Sequence, residues 1–166
     1  MRMKRIAYIL LFSLLLISCG TRSGYFKMEG RFLHMNQGEL YVYSPDGGIA
    51  GLDTIKIEAG RFSYEKPCSK PSTLIIIFPN YSTQPIFAES GEAVEVKADA
   101  SHLKEMEVEG TEDNELMTKF RKQIASVSPP EELKYALQFI NDNAIDCPLS
   151  YAKEAVLYRT DNIADY

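Results

Sequence analysis

Tryptophan is absent from this 166-residue chain, histidine occurs twice, cysteine three times, and the 18 Lys+Arg fall short of the 23 Asp+Glu. Each scarcity narrows the chemistry. His34 and His102 are the only imidazoles, the side chains best suited to proton transfer near neutral pH. They form no His-x-x-x-His or His-Glu-x-x-His pair, so a zinc site would need cysteines or distant carboxylates brought in by folding. Gly20-Thr21-Arg22-Ser23-Gly24 lacks the spacing of a Gly-x-Ser-x-Gly elbow. Gly47-Gly48-Ile49-Ala50-Gly51 lacks the lysine of a phosphate cradle and reads as a hairpin loop. The net charge is −5, and no cluster of Lys/Arg follows the first few residues. Such a surface repels phosphate backbones, which argues against nucleic acid as a partner. No base can be paired with a nucleophile, so the expectation is a non-enzymatic domain with no catalytic residue, no cofactor and no metal site.

What is present begins at the N-terminus. Arg2, Lys4 and Arg5 precede the apolar run Ile6 to Ile17, and Ser18-Cys19-Gly20 follows. That is the layout of a secretory signal, with an apolar run too short to span a membrane comfortably. Leu16-Ile17-Ser18-Cys19 resembles the lipobox of bacterial lipoproteins. The resemblance implies cleavage before Cys19, diacylglycerol on its thiol and an acylated amine, and several acyl chains anchor stably where one does not. Residues 1–18 are then a signal peptide and 19–24 a lipidated tether. Removing 18 residues leaves 148, enough for one domain. The leader takes three basic residues with it, leaving 15 Lys+Arg against 23 acids, a balance of −8. Gly20 is not the aspartate that retains lipoproteins at an inner membrane, so the expected place is the outer membrane, facing the periplasm.

From Tyr25 to about Gly110 the hydrophobic period is two. Phe26, Met28, Gly30, Phe32 and His34 alternate with Lys27, Glu29 and Arg31; Leu40 and Val42 with Tyr41 and Tyr43; Ile55 and Ile57 with Thr54, Lys56 and Glu58. Phe62/Tyr64 and Val94/Val96 repeat the pattern. Leu74-Ile75-Ile76-Ile77-Phe78 is apolar throughout and suits a strand covered on both faces. Turn residues fall between these runs at 36–38, 45–48, 59–60, 79–80 and 90–91. The expectation is an antiparallel β-sandwich or partly open barrel of about seven to eight strands over 25–110. After Gly110 the period turns helical: Leu116, Phe120, Ile124 and Val127, then Leu133, Ala136, Leu137 and Ile140. Ser128-Pro129-Pro130-Glu131 reads as a capping box. A third helix is expected from Pro148, carrying Leu149, Ala152 and Val156. Strands first and two to three helices afterwards, over 111–166, is an α+β order.

The strand half resembles the β-rich domain of unknown function numbered 4369, which precedes thioredoxin-like domains in lipoproteins of the Bacteroidetes. The likeness rests on Phe26-Lys27-Met28-Glu29-Gly30, Leu40-Tyr41-Val42-Tyr43, Leu52-Asp53-Thr54-Ile55, Gly60-Arg61-Phe62-Ser63-Tyr64, Glu89-Ser90-Gly91-Glu92 and Val108-Glu109-Gly110-Thr111. It spans roughly residues 25–125. Phe139-Ile140 to Pro148-Leu149-Ser150-Tyr151 resembles the helical linker leading such proteins into the thioredoxin fold. A reductase of that kind needs a Trp-Cys-x-x-Cys-type pair, and this chain has neither tryptophan nor Cys-x-x-Cys. The resemblance therefore carries no redox residue over. It implies either a stand-alone binding or accessory lipoprotein or the front part of a truncated thiol-disulfide oxidoreductase.

The remaining candidates are single features. Cys68 and Cys147 are either a disulfide or two free thiols. Lys66 and Lys70 beside Cys68 would favour a reactive thiolate, in a loop framed by Pro67 and Pro71. Glu105, Glu107 and Glu109 on one strand would form an acidic face able to hold calcium or polarise a sugar, or simply a solvated edge. Asp53-Thr54-Ile55 resembles the short O-glycosylation motif of exported Bacteroidetes proteins, with Thr54 as acceptor. Tyr41, Tyr43 and Tyr81 are the aromatic candidates for docking a protein partner in the cell envelope. The other expected partner is the membrane, through lipid on Cys19.

Overall fold

The computed structural model describes residues 21–128 and 131–143. Its elements are β1 (Tyr25–Leu33), β2 (Gln37–Tyr43), β3 (Leu52–Glu58), β4 (Arg61–Pro67), β5 (Ser72–Ile77), β6 (Thr83–Ala88), β7 (Ala93–Asp99), β8 (Glu107–Glu109), α1 (Glu112–Ile124) and α2 (Glu132–Asp142). All eight strands join one sheet in the order β6-β5-β2-β3-β4-β1-β7-β8, curled into a nearly closed barrel, with the helices after it. The α+β reading from the sequence holds. One pair departs from the antiparallel expectation: β7 runs parallel to β1, Lys27 opposite Ala93 through Leu33 opposite Asp99. The period of two tells which face a residue takes, but it cannot tell which strand becomes its neighbour.

The alternation sorts side chains as the sequence implied. Phe26, Met28 and Phe32 of β1, Leu40 and Val42 of β2, Ile55 and Ile57 of β3, Phe62 and Tyr64 of β4, and Val94 and Val96 of β7 all point inward and are buried. Burying each such side chain contributes about 1.5–3 kcal/mol, so this set dominates the stability of the fold. At the inward position Gly30 there is no room for a side chain: a Cβ would lie 2.4 Å from the Phe62 ring and 2.8 Å from the Val96 carbonyl. The aromatic ring of its cross-strand partner fills the space instead.

The barrel has two seams. At the first, β3 and β4 are joined by Ala59-Gly60, both with positive φ (50° and 72°), the twist that a two-residue hairpin requires. The ladder extends only to Glu58 opposite Arg61. Further along, side chains span the opening: Lys66 Nζ lies 2.7 Å from Asp53, and the Tyr64 hydroxyl donates to Asp53 at 3.2 Å. The Lys66 ammonium holds the Asp53 carboxyl below its usual range, while burial and the Asp53 charge push the Tyr64 hydroxyl up.

The second seam lies between the edge strands β6 and β8, and α1 fills it. Asn114 Oδ1 accepts from Phe87 N–H at 3.0 Å and its Nδ2 donates to Phe87 C=O at 2.7 Å. Thr118 Oγ1 accepts from Val108 N–H at 2.9 Å. Arg121, also buried, donates to Gln84 Oε1, Pro85 C=O and Met106 C=O. Three polar side chains at i, i+4 and i+7 thus complete the hydrogen bonding of two strand edges, which would otherwise leave polar groups exposed to pairing. The helix is oriented favourably, with Glu112, Asp113 and Glu115 in its first turn and Arg121 and Lys122 in its last.

The other face of α1 carries Met117, Phe120 and Ile124, which pack with Phe87, Ala136 and Phe139 in a second cluster. α2 begins at Glu132, with no side-chain cap at Glu131, whose N–H donates to the Ser128 carbonyl at 2.9 Å. Pro129 and Pro130 lie outside the described residues. Of the stripe read from the sequence, Ala136 is buried, while Leu133 and Leu137 stand exposed and Phe139 takes their place in the cluster. The third helix expected from Pro148 falls outside the described residues.

Candidate functional site

Cys19 and Cys147 lie outside the described residues, and with them the lipidation site and one half of any disulfide. Cys68 is described: it follows β4, is buried, and stands as a free thiol. Neither flanking lysine is directed at it. Lys66 goes to Asp53, and Lys70 Nζ donates to the Asp46 carbonyl at 3.1 Å. The sulfur lies instead against the carbonyls of Lys70 (3.3 Å) and Ala88 (3.7 Å). Burial pushes the thiol up, and Glu89, Glu92 and Asp46 push in the same direction. Of the two readings, the buried thiol fits this setting and the reactive thiolate does not, because desolvation outweighs the sequence-adjacent lysines.

The two histidines are brought to one end of the barrel. His34, at φ 61° just past β1, places Nδ1 2.9 Å from Asp99 at the end of β7. Asp99 also accepts from the Ser101 backbone N–H and hydroxyl, and Ser101 Oγ lies 3.0 Å from His102 Nδ1. The components of a serine triad are present but wired in the wrong order. The Ser101 hydroxyl donates to the Asp99 carboxylate, whereas in a triad it would donate to the imidazole. Ser101 and His34 hold the Asp99 carboxyl well below the usual range, which makes the cluster a tie between two strand ends. Among the described residues no three His, Cys, Asp or Glu side chains are placed to share a metal ion.

The expected three-glutamate face is also corrected. Strand β8 starts only at Glu107, and Glu105 belongs to a turn of 3-10 helix, Leu103–Glu105. Glu107 pairs with Lys122 of α1, and Glu109 with Lys97 of β7, at 2.5 and 2.7 Å. The carboxylates on this edge are thus neutralised.

Two surfaces remain, on opposite walls. On the outside of β5-β2-β3, Tyr43 stands opposite Leu52 and Ile75, and Tyr41 opposite Thr54 and Ile77. Tyr41, Tyr43 and Leu52 are 40%, 37% and 61% exposed, with Ile75 and Ile77 half-buried beside them. The apolar run of β5 is thus covered fully on its inner face only, contrary to the two-sided cover that the sequence implied. Thr54 is exposed at the rim of this face. Tyr81 does not join it: it sits at φ 64° in the β5–β6 loop, 88% exposed. On the outside of β4-β1-β7, register aligns Arg61, Arg31 and Lys97 in one row. A groove of about 710 Å³ runs over this wall, lined by Glu29, Gly30, Arg31, Arg61, Glu95 and Glu109 among others. Sequence reasoning missed the arginine pair because thirty positions separate its members and only the β1–β4 register unites them.

The family described as Domain of unknown function (DUF4369) matches residues 26–117, from the second residue of β1 to the middle of α1. The match thus spans the strands of the barrel and the first half of its closing helix. A search of the curated proteins finds no match.

Proposed function

From the premise that this chain belongs to the family Domain of unknown function (DUF4369), we propose that it is a non-enzymatic binding or accessory domain of the bacterial cell envelope. In this reading lipid on Cys19 tethers it to a membrane, most naturally the outer membrane facing the periplasm. A protein partner docks on the Tyr41/Tyr43/Leu52 face. The observation that carries the reading is that face itself. Three large side chains stand exposed side by side over two half-buried isoleucines, and tyrosines supply contact area at little entropic cost. Support for the tether is the basic–apolar–Ser18-Cys19 order of the first residues. Thr54, exposed beside Tyr41, is placed where an attached glycan would border the same face.

The test is site-specific photocrosslinking from position 43 in intact cells, with position 65 on the opposite wall as reference. A discrete adduct from position 43 alone, lost in Leu52→Asp, supports the reading; equal or absent adducts refute it. A second reading, the front of a truncated thioredoxin-like oxidoreductase lipoprotein, draws on the linker-like segment that begins at Phe139. An immunoblot of native membranes separates the two. A band at the mature size of this chain, shifted by Cys19→Ala, favours the stand-alone lipoprotein. A band larger by about 100–150 residues favours the second reading.

A further inference from the structure

We propose that Arg31 and Arg61 bind the oxyanion, phosphate or carboxylate, of a small zwitterionic ligand lying in the groove on the outer wall of β4-β1-β7, with Glu95 receiving its cationic end. This wall is separate from the tyrosine face, and the site requires neither the lipid nor the partner.

The two arginines are direct cross-strand partners. Like charges placed so are destabilising unless something neutralises them. Neither forms an ion pair with any described residue, in a chain where acids outnumber bases. The neighbouring carboxylates are engaged elsewhere. Glu29 is held by Lys27 at 2.7 Å and accepts from Ser63, and Glu109 is held by Lys97 at 2.7 Å. Lys27 and Lys97 keep both carboxyls below their usual range. Lys97, opposite Arg31 on its other side, adds a third cation to the row. The groove therefore presents two guanidinium forks with ten N–H donors between them, the geometry suited to bidentate capture of a phosphate or carboxylate.

The same wall limits what else the ligand can carry. Two residues back along β1 and β7, about 7 Å away, lies the row Glu29-Glu95-Glu109. A polyanion crossing both rows would meet carboxylates, so the ligand has a single anionic group. Glu95 is the carboxylate of that row with the weakest pairing, its one cation among the described residues being Lys97 at 3.9 Å. It is thus the natural contact for an ammonium. At the centre the backbone of Gly30 lines the groove.

The experiment is a titration of the full chain in mild detergent, followed by the side-chain Nε–H resonances of its arginines. The probes are O-phosphoethanolamine, β-alanine, inorganic phosphate and ethanolamine. The expected result is saturable binding of at least one zwitterion with shifts confined to two arginines. Affinity falls by roughly tenfold or more in R31Q and R61Q, the scale of losing a charge-assisted contact. E95Q abolishes the advantage of O-phosphoethanolamine over inorganic phosphate, and K56Q on β3 changes nothing. Tighter binding of O-phosphoethanolamine identifies a phosphate ligand, and tighter binding of β-alanine a carboxylate one. The absence of saturable binding by either zwitterion overturns the proposal, as does an equal loss in K56Q, which would mean diffuse attraction to charge.

Discussion

The seam between β6 and β8 makes the sharpest prediction about stability. Asn114 is 1% exposed and serves both polar groups of Phe87, whose N–H and C=O face away from β5. Asn114→Ala removes the partner of a buried donor and a buried acceptor together. Each such orphan costs about 1–3 kcal/mol. Some water entry at the new gap offsets part of this, so the expected loss is about 2–4 kcal/mol, a large share of the roughly 5–15 kcal/mol that holds a domain together. Thr118→Val, which keeps the shape and strands the Val108 N–H, should cost about 1–2 kcal/mol. Lys122→Ala, which breaks only the solvent-facing pair with Glu107, should cost under about 0.5 kcal/mol. The assay is urea unfolding of the chain expressed without residues 1–18 and carrying Cys19→Ser, read by far-ultraviolet circular dichroism and tyrosine fluorescence, since there is no tryptophan. If Asn114→Ala costs no more than Lys122→Ala, water suffices at the β6 edge and α1 is not what closes the barrel.

Three further outcomes follow from the same packing. Gly30→Ala should destabilise by about 1–3 kcal/mol, because the new methyl meets the backbone carbonyl of Val96 as well as the Phe62 ring; an unchanged urea midpoint would refute it. In a Cys147→Ser background, Cys68 should react with a thiol reagent far more slowly in the native chain than in urea, and prompt native labelling would show that the thiol is not buried. Stability should fall as pH drops below about 4. Asp46, Asp53 and Asp99 all have folded-state carboxyls below the usual range, so their contribution is complete above the unfolded value and lost as pH descends through the folded ones. Glu92, pushed up by burial and by Glu89 and Asp113, acts in the opposite sense and weakens the fold as pH rises through its range. Glu29 and Glu109, held below their usual range by lysines, add to the three aspartates, and one group against five leaves the net slope positive. A midpoint that is constant or rising from about pH 5 to about pH 3 would contradict the assignment, and Asp53→Asn should flatten the curve.

The sequence was most legible where structure depends on near neighbours. The period of two placed Phe26, Met28, Leu40, Val42, Ile55 and Val94 inside, and Ala59-Gly60 marked a tight hairpin, because face and turn are decided within a few residues. What remained hidden depends on register between distant segments. The parallel β1–β7 pair is one case, and it also determines which charges meet: Lys97 lies beside Arg31 only because the two strands run the same way. The Asp99–His34 contact across 65 positions is another. The helix α1 shows a different limit. Its hydrophobic pattern predicted a buried apolar stripe and found Phe120 and Ile124. Yet Asn114, Thr118 and Arg121, three and four residues apart, form a second buried stripe that hydropathy assigns to solvent. A polar stripe at helical spacing becomes intelligible only once two open strand edges are known to face it, since the backbone of those edges supplies the partners that burial demands. The same logic separates the two candidate surfaces. Tyr41 and Tyr43 were readable from alternation along β2, while Leu52, Ile75 and Ile77 join them only through register. The arginine pair needed the fold first, and a site composed by register in this way is recognised by the charges left without an internal partner.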